Sequence, residues 1–186
     1  MRLATPRDAP AVHAIYAPIV RDTFISFELE VPSIPEIEGR IAASLESHAW
    51  LVFEERGDLA GYAYASEHRE RAAYQWSTDV SCYVHARARR RGIGARLYQA
   101  LFRILALQGF TNAFAGIALP NAASLGMHEA VGFVALGRFR DVGFKQGEWH
   151  DTVWMQRQVA EPPARPEPPR PLAALSAREI EAALAG

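Results

Sequence analysis

The sequence predicts a mixed α/β fold in which a largely antiparallel sheet is flanked by helices. Three observations support this class: short apolar runs bounded by turn residues, apolar residues at helical spacing, and the order of the two along the chain. That order is a strand, two helices, three antiparallel strands, a helix, a strand, a helix and two strands. The 186 residues are enough for one compact domain with a sizeable core.

The N-terminal elements are predicted from capping signatures. A short strand at residues 1–4 precedes a helix that begins with a capping sequence at residues 5–8, with proline at its first position, and extends to about Arg21. Residues 23–27 form an irregular aromatic segment. A second capping signature at residues 33–36 begins the next helix.

Three antiparallel strands are predicted next. Residues 50–55 and 59–65 form a hairpin around Gly57, and a longer strand covers residues 73–84. The even positions of this strand are apolar except for one threonine, whereas the odd positions, including Asp79, are polar. A polar face on a central strand indicates either a wet cleft or a solvent-facing side of the sheet.

The second half of the chain alternates between helices and strands. The prediction is a helix at residues 94–108, a strand at 110–118 and a helix at 121–131. A final hairpin follows, whose strands at 133–143 and 152–159 are joined by an eight-residue connection. Gly109 and Gly132 follow the two helices, as expected of C-terminal stops.

The composition changes at Glu161. Six prolines between residues 162 and 171 predict an extended arm, and Ser176 caps a short terminal helix. We therefore divide the chain into a domain at residues 1–160 and a C-terminal arm at residues 161–186. This arm is either a solvated tail or packs on its own or a neighbouring subunit.

Charge and composition exclude several classes of protein. A net charge of −1 argues against a nucleic-acid-binding protein, and a single cysteine excludes an intrachain disulfide or a thiolate zinc site. No stretch approaches membrane-spanning length, and the first residues lack an apolar signal core. We expect a cytoplasmic protein with no metal, no nucleic-acid partner and no membrane partner.

The strongest candidate binding site lies in residues 83–97. An apolar strand ends near Val84, a basic loop follows, and Gly92 and Gly94 open a long helix. Free N–H groups at a helix N-terminus bind phosphate, and glycine lets the main chain approach an anion closely. The spacing matches neither a Walker A loop nor a dinucleotide fingerprint, so the segment predicts an anion site of another kind.

The pattern Arg89-x-x-Gly92-x-Gly94 resembles the acyl-CoA pyrophosphate loop of the GNAT N-acetyltransferase superfamily. Residues 121–133, a helix that begins with Asn121 and ends in Gly-Phe, resemble the superfamily's second cofactor segment. The resemblance implies the acyl-CoA N-acyltransferase fold with acetyl-CoA as co-substrate. The residues it implies for coenzyme binding are Cys82, Tyr83, Val84, Arg89, Arg90, Arg91, Gly92, Ile93, Gly94, Ala95, Asn121 and Ser124.

Most of the chain resembles one branch, the phosphinothricin and methionine sulfone/sulfoximine N-acetyltransferases. The shared blocks include Met127-His128-Glu129-Ala130 and Gly143-Phe144-Lys145-x-Gly147-x-Trp149-His150-Asp151. His128 stands where the superfamily usually has tyrosine, which favours this branch. The resemblance implies acetylation of the α-amine of a small amino-acid-like substrate, and a homodimer.

Acetyl transfer to an amine requires a base, a donor for the oxyanion and a proton for the departing sulfur. Asp79 lies where phosphinothricin acetyltransferases carry a glutamate proposed as the base. Its side chain is one methylene shorter, so it contacts the amine directly or through water. His128 is a candidate base or final acid. A backbone N–H near Cys82 is the candidate oxyanion donor, and Tyr83 is a further catalytic candidate.

The candidate acceptor-binding residues are Phe27, Arg71 and Tyr74. Arg71 and Tyr74 match branch positions that would hold an anionic phosphinate or carboxylate, which suits the bidentate fork of arginine. The alternative for Arg71 is a solvated turn, and the alternative for Asp79 is a buried strand carboxylate paired with an arginine. Two other functions also remain open: acetylation of a protein N-terminus or polyamine, and coenzyme A binding without turnover.

Overall fold

The structure, a computed structural model, describes every residue from Met1 to Gly186. Its single sheet has the order β1-β2-β3-β4-β5-β7-β6 and is antiparallel except between β4 and β5. The strands are β1 Arg2–Leu3, β2 Trp50–Glu55, β3 Asp58–Glu67, β4 Ser77–Val84, β5 Asn112–Ala118, β6 Val134–Lys145 and β7 Glu148–Gln158. The helices are α1 Ala9–Asp22, α2 Ile34–Ser47, α3 Ile93–Gln108, α4 Ala122–Ala130 and α5 Ala177–Ala185. The predicted fold class is confirmed.

The two N-terminal capping signatures are formed as predicted. Asp8 accepts the backbone N–H of Thr5 at 2.7 Å, and Glu36 accepts that of Ser33 at 2.6 Å. The hydroxyl of Ser33 accepts the N–H of Glu36 in return. These reciprocal bonds satisfy donors that the first helical turn leaves free.

The prediction that β4 begins at residue 73 is wrong. Residues 72–74 form a 3₁₀ turn, in which the N–H of Tyr74 donates to the carbonyl of Arg71 at 2.9 Å, and the strand begins at Ser77. Local hydrogen bonds satisfy this backbone, so it does not pair with β3. An alternating pattern of side chains does not distinguish such a turn from a strand.

The eight-residue connection predicted before the last strand is also wrong. β6 and β7 pair almost to the turn, with Phe144 opposite Trp149, and only Gln146 and Gly147 connect them. Both connecting residues have positive φ, +55° and +83°, as in a type I′ hairpin turn. The wider connection was inferred from polar and glycine residues that instead lie within the paired strands.

The core lies on both faces of the sheet. One face packs on α3, whose Leu97, Leu101, Ile104 and Leu105 have no solvent exposure, and the other face packs on α1 and α2. α3 therefore fixes the position of the loop that precedes it. No helix combines the length and apolar character needed to cross a membrane.

The C-terminal arm packs on its own chain. Leu172 and Leu175 are buried in the same cluster as α3, and the side-chain amide of Gln108 donates to the carbonyl of Arg170 at 2.9 Å. Arg103 of α3 donates to the carbonyl of Ala183 at 2.7 Å. Of the two arrangements predicted for this arm, the structure has the packed one.

Candidate active site

The central feature of the site is a separation between β4 and β5. These parallel strands pair only at their first residues, ending with Asp79 opposite Phe114. Beyond this point β4 continues to pair with β3, and β5 with β7. Residues 80–84 and 115–118 therefore face each other across an open cleft, with no strand between them.

The backbone groups of β4 that face this cleft can be identified. The N–H of His85 donates to the carbonyl of Ala60 at 2.9 Å, so odd-numbered residues of β4 direct their N–H groups toward β3. The carbonyl of Trp76 accepts the N–H of Thr111, so the backbone N–H and carbonyl groups of even-numbered β4 residues point toward β5. The N–H of Cys82 therefore points into the cleft, as expected of the predicted oxyanion donor.

The cleft has a volume of about 780 Å³ and connects the predicted coenzyme segments. Its lining includes all but one of the twelve residues predicted to bind coenzyme, because Arg91 lies outside it. The lining members of that set are Cys82, Tyr83, Val84, Arg89, Arg90, Gly92, Ile93, Gly94, Ala95, Asn121 and Ser124. The cleft also reaches Ile19 of α1 and Ile25 of the segment that follows α1.

The loop at one end of the cleft presents the start of α3. Gly92 is the N-cap of this helix and has φ +75°, a conformation that favours glycine. Gly94, in the first turn, is buried beside Cys82 and Met127. The helix has no acidic residue in its first turn, so its free N–H groups offer an unopposed site for an anion.

The arginines of this loop divide into two groups. Arg87 pairs with Asp58 at 2.9 Å, and Arg91 forms a bidentate pair with Glu55 at 2.5 and 2.7 Å. Arg89 and Arg90 instead line the cleft. Arg91 is therefore a structural partner of β2, and Arg89 and Arg90 are the guanidinium groups available to a ligand.

Asn121, Ser124 and His128 lie on one stripe of α4, as predicted. Asn121 caps the helix by accepting the N–H of Ser124 at 3.1 Å. Nδ1 of His128 lies 2.8 Å from the carbonyl of Ser124, so this nitrogen carries the proton. Nε2 then accepts the hydroxyl proton of Tyr98 at 3.0 Å.

Burial keeps this histidine and tyrosine neutral. His128 is 5% exposed and its pKa is lowered by loss of solvation, whereas burial raises the pKa of Tyr98 well above its usual value. Both side chains line the cleft. Tyr98 was not predicted from the sequence; a buried tyrosine hydroxyl that needs a partner was the available signal.

Asp79 lies on the other face of β4, where the structure pairs it with His68. Nδ1 of His68 is 2.6 Å from the carboxylate, and the ring of His68 stacks on Phe114 at 4.3 Å. Burial raises the pKa of Asp79, and the hydrogen bond from His68 partly opposes this shift. His68 was not predicted; it lies one residue beyond the end of β3, and a period of two continued from Ser66 directs it to the face of Asp79.

Asp79 itself lines neither of the two large cavities, but two neighbours on its face of the sheet do. Ser81, two residues along the same face, lines the cleft. Ser66, directly opposite Asp79 on β3, lines a second cavity of about 500 Å³ that α1 and α2 cover. Arg40 and Tyr64 also line this second cavity.

The predicted acceptor residues lie outside both of these spaces, with Arg71 and Tyr74 on one 3₁₀ turn and Phe27 on the segment after α1. Tyr74 is half-exposed, and its ring contacts His68 edge-on at 6.0 Å. Arg71 is exposed at the start of the 3₁₀ turn. Phe27 packs against Gly143 of β6, where an added Cβ would come within 2.3 Å of its ring. Tyr74 is thus the member of this group that the structure connects to Asp79, through His68.

Lys145 fixes the segment that carries Phe27. Its buried ammonium donates to the carbonyls of Val20, Ser26 and Glu28 at 2.7, 2.7 and 2.8 Å. Loss of solvation lowers the pKa of this lysine. The end of α1 and the segment after it are therefore held to the β6–β7 hairpin by one side chain.

The fold and cleft together define an α/β protein with a cleft between two diverging parallel strands, beside a helix start suited to an anion. The sequence profile described as acetyltransferase (GNAT) domain matches residues 1–154. The chain belongs to the GNAT acetyltransferase family.

Several similar proteins narrow this relationship. The phosphinothricin N-acetyltransferase of Streptomyces viridochromogenes is 37% identical over 92% of this chain and 93% of its own. The L-methionine sulfoximine/L-methionine sulfone acetyltransferase of Salmonella typhimurium is 30% identical over 87% and 95%. The crystal structure of a phosphinothricin acetyltransferase from Sinorhizobium meliloti, in complex with AcCoA, superposes with a TM-score of 0.84. It is 34% identical and covers 89% of this chain and 91% of its own.

Proposed function

We propose that this protein transfers an acetyl group from acetyl-CoA to the α-amine of a small amino-acid-like acceptor of the phosphinothricin or methionine sulfoximine/sulfone type. The observation that carries the proposal is the divergence of β4 and β5 directly beside the anion-binding start of α3. The similar proteins described above, with acceptors of this type in their names, support the choice of acceptor.

The residues of the cleft fit acetyl-CoA. The N–H groups at Gly92 to Gly94, with Arg89 and Arg90, suit a pyrophosphate, and the unpaired edges of β4 and β5 suit the amides of the pantetheine arm. Acetyl-CoA supplies an activated thioester carbonyl at the far end of this arm. The N–H of Cys82 is then the donor for the oxyanion, while the thiol of Cys82, whose pKa burial raises to about 12, remains inert.

Proton transfer is divided between the two faces of β4. Asp79 is the carboxylate on the acceptor side, and His128 with Tyr98 forms the polar pair that lines the coenzyme cleft. We assign removal of the ammonium proton to groups on the face of β4 that carries Asp79. We assign protonation of the departing sulfur to Tyr98, whose hydroxyl proton rests on Nε2 of His128 and turns to the sulfur as the C–S bond breaks.

The acceptor is recognised by groups near Asp79. Tyr74 lies beside the His68–Asp79 pair, and Arg71 is exposed three residues earlier, where its guanidinium is free to bind a carboxylate or phosphinate. Phe27 supplies an apolar contact from the segment that Lys145 holds. Tyr83, whose ring contacts Tyr16 at 5.0 Å, closes the apolar side of the site.

The proposal is tested by free-thiol release from acetyl-CoA with a panel of amines. The panel contains phosphinothricin, methionine sulfoximine, methionine sulfone, ordinary amino acids, a polyamine and a peptide with a free N-terminus. We expect release with the first three, and Asp79→Ala and His128→Ala each to lower turnover by about 10²-fold or more. No release with any amino acid or analogue would refute the small-acceptor function, and release with the peptide or polyamine alone would assign a different one.

We also propose a homodimer in the cytoplasm. The strand β6 exposes large apolar side chains, namely Val134, Leu136, Phe139, Val142 and Phe144, and Trp149 lies opposite on β7. These side chains form an apolar patch and are not scattered single residues, and an exposed apolar patch suits a protein–protein interface. A second copy of the chain is the occupant that the family resemblance favours.

A further inference from the structure

We propose that His68 is the proton acceptor of the reaction, with Asp79 as the carboxylate that orients it. This inference rests on the proposed N-acetyl transfer and adds a residue to it. It replaces a single carboxylate base with a histidine–aspartate pair, in which the imidazole contacts the ammonium proton through one water and Asp79 acts on the imidazole.

The hydrogen bond between the two side chains fixes the tautomer of His68. A carboxylate only accepts hydrogen bonds, so the 2.6 Å contact requires a proton on Nδ1. Nε2 is then the unprotonated nitrogen of the neutral ring. The same arrangement of carboxylate and imidazole makes histidine a general base in hydrolases, where the carboxylate stabilises the imidazolium that forms.

Nε2 remains accessible to water. It makes no hydrogen bond within the chain. The fully buried side-chain atoms that lack a partner are Trp50 Nε1, Gln108 Oε1 and Arg157 Nε, so Nε2 of His68 is not fully buried. The His68 side chain is 10% exposed, so its accessible surface is small and includes this atom. One nitrogen is thus tied to Asp79 and the other is available for a proton.

Aromatic side chains hold the ring in place. His68 stacks on Phe114 with an interplanar angle of 12°, and the rings of Tyr74 and Trp154 contact its edge at 6.0 and 6.2 Å. Phe114 is the last β5 residue that pairs with β4. His68 is therefore held at the point where the cleft between these strands begins.

The charges around the pair are consistent with proton uptake. Arg69 is the nearby cation, with its guanidinium 5.9 Å from the Trp154 ring, and Tyr64 and Tyr74 are the titratable neutral groups facing the pair. With His68 neutral, as a proton acceptor must be, and Asp79 ionised, the pair carries one negative charge. Uptake of a proton makes it an imidazolium–carboxylate pair, which is stabilised by the bond that already exists.

The reaction begins with proton transfer to His68. An ammonium N–H bond breaks and its proton passes through water to Nε2 of His68. The freed nitrogen pair forms the C–N bond to the thioester carbonyl, and the C–S bond then breaks. The sulfur takes the hydroxyl proton of Tyr98 and leaves as the thiol, the second nitrogen proton replaces the one that Tyr98 gave, and His68 returns the first proton to solvent.

The structure also accounts for the shorter carboxylate. Aspartate replaces the glutamate of the resembling enzymes, and its carboxylate is withdrawn by one methylene toward the sheet. His68 lies directly after the neighbouring strand β3, within hydrogen-bond distance of this withdrawn carboxylate. The imidazole therefore extends the reach of Asp79 instead of leaving a gap.

The test compares His68→Asn with Asp79→Asn and wild type. The side-chain amide of asparagine reproduces the Nδ1–H donor, so it preserves the contact with Asp79 but takes up no proton. We expect His68→Asn to bind acetyl-CoA with unchanged affinity and to lower kcat by about 10²-fold or more. The rising limb of its profile of kcat/KM against pH should also be lost, and His68→Gly should regain turnover when imidazole is added.

The outcomes separate this inference from the proposed function. Suppose that wild type acetylates amino-acid analogues and that His68→Asn keeps the wild-type kcat and the rising limb of the pH profile. That result would overturn the role of His68 and leave Asp79 as the sole base. A wild type that releases no thiol with any amine would instead refute the transferase function itself. A variant that loses acetyl-CoA binding would assign His68 a structural role and equally overturn the inference.

Discussion

Gly94 offers a way to separate ligand binding from folding. A Cβ added at Gly94 would lie 3.5 Å from Sγ of Cys82 and 3.7 Å from Met127, which are ordinary contacts. The position is helical, so alanine should not strain the backbone. Replacing glycine by alanine in a helix stabilises by up to about 1 kcal/mol, which raises Tm by a few degrees in a chain of this size.

The same methyl group should weaken coenzyme binding. It would stand among the cleft-lining residues Cys82 and Met127, beside the N–H groups that we assign to the pyrophosphate. Phosphate oxygens must approach those N–H groups to about 2.9 Å. We expect Gly94→Ala to raise KM for acetyl-CoA by about tenfold, equivalent to about 1.4 kcal/mol, with no loss of Tm.

Gly39→Ala is the matched control. Gly39 lies in α2, and no atom lies within 4 Å of an added Cβ, so this variant should show the same stabilisation with an unchanged KM. Thermal unfolding and thiol release at a series of acetyl-CoA concentrations supply both readouts. An unchanged KM in Gly94→Ala would refute the assignment of the α3 start to the pyrophosphate.

Three further predictions concern stability and assembly. Lys145→Met removes three hydrogen bonds and should lower the free energy of unfolding by about 2–4 kcal/mol in urea titrations; a loss under 1 kcal/mol would contradict its structural role. Burial lowers the pKa of His48 and of His128, so the unfolded chain binds more protons below about pH 6.5 and stability should fall as the pH drops through that range. His128→Gln should flatten this dependence, and an equally steep one would count against a neutral buried His128. Phe139→Asp should convert a dimer to a monomer in light scattering, and wild type eluting as a monomer would remove the proposed interface.

The sequence was most informative where a local signal determines the structure. Capping at Ser33 and the glycines at the start of α3 depend on neighbours within a few residues, and both were predicted. The stripe of Asn121, Ser124 and His128 follows from helical spacing alone. These signals predicted the fold class and the start of α3, where we propose the anion site.

The contacts that were missed depend on residues distant in sequence. His68, directly after β3, meets Asp79 of β4, Tyr98 meets His128 across two helices, and Lys145 bonds to carbonyls more than 100 positions away. No periodicity within one element reports such a contact. The start of β4 was misjudged for a related reason, because the turn at residues 72–74 shows the same alternation of side chains as a strand.

The most direct test of the proposed function follows both products of one reaction. Purified protein is mixed with acetyl-CoA and L-phosphinothricin, and free thiol and N-acetylphosphinothricin are quantified in the same samples over time. We predict that the two appear at equal rates and that both cease in Asp79→Ala. Thiol release without the acetylated amine, or neither product at saturating acetyl-CoA, would contradict direct acetyl transfer to this amine.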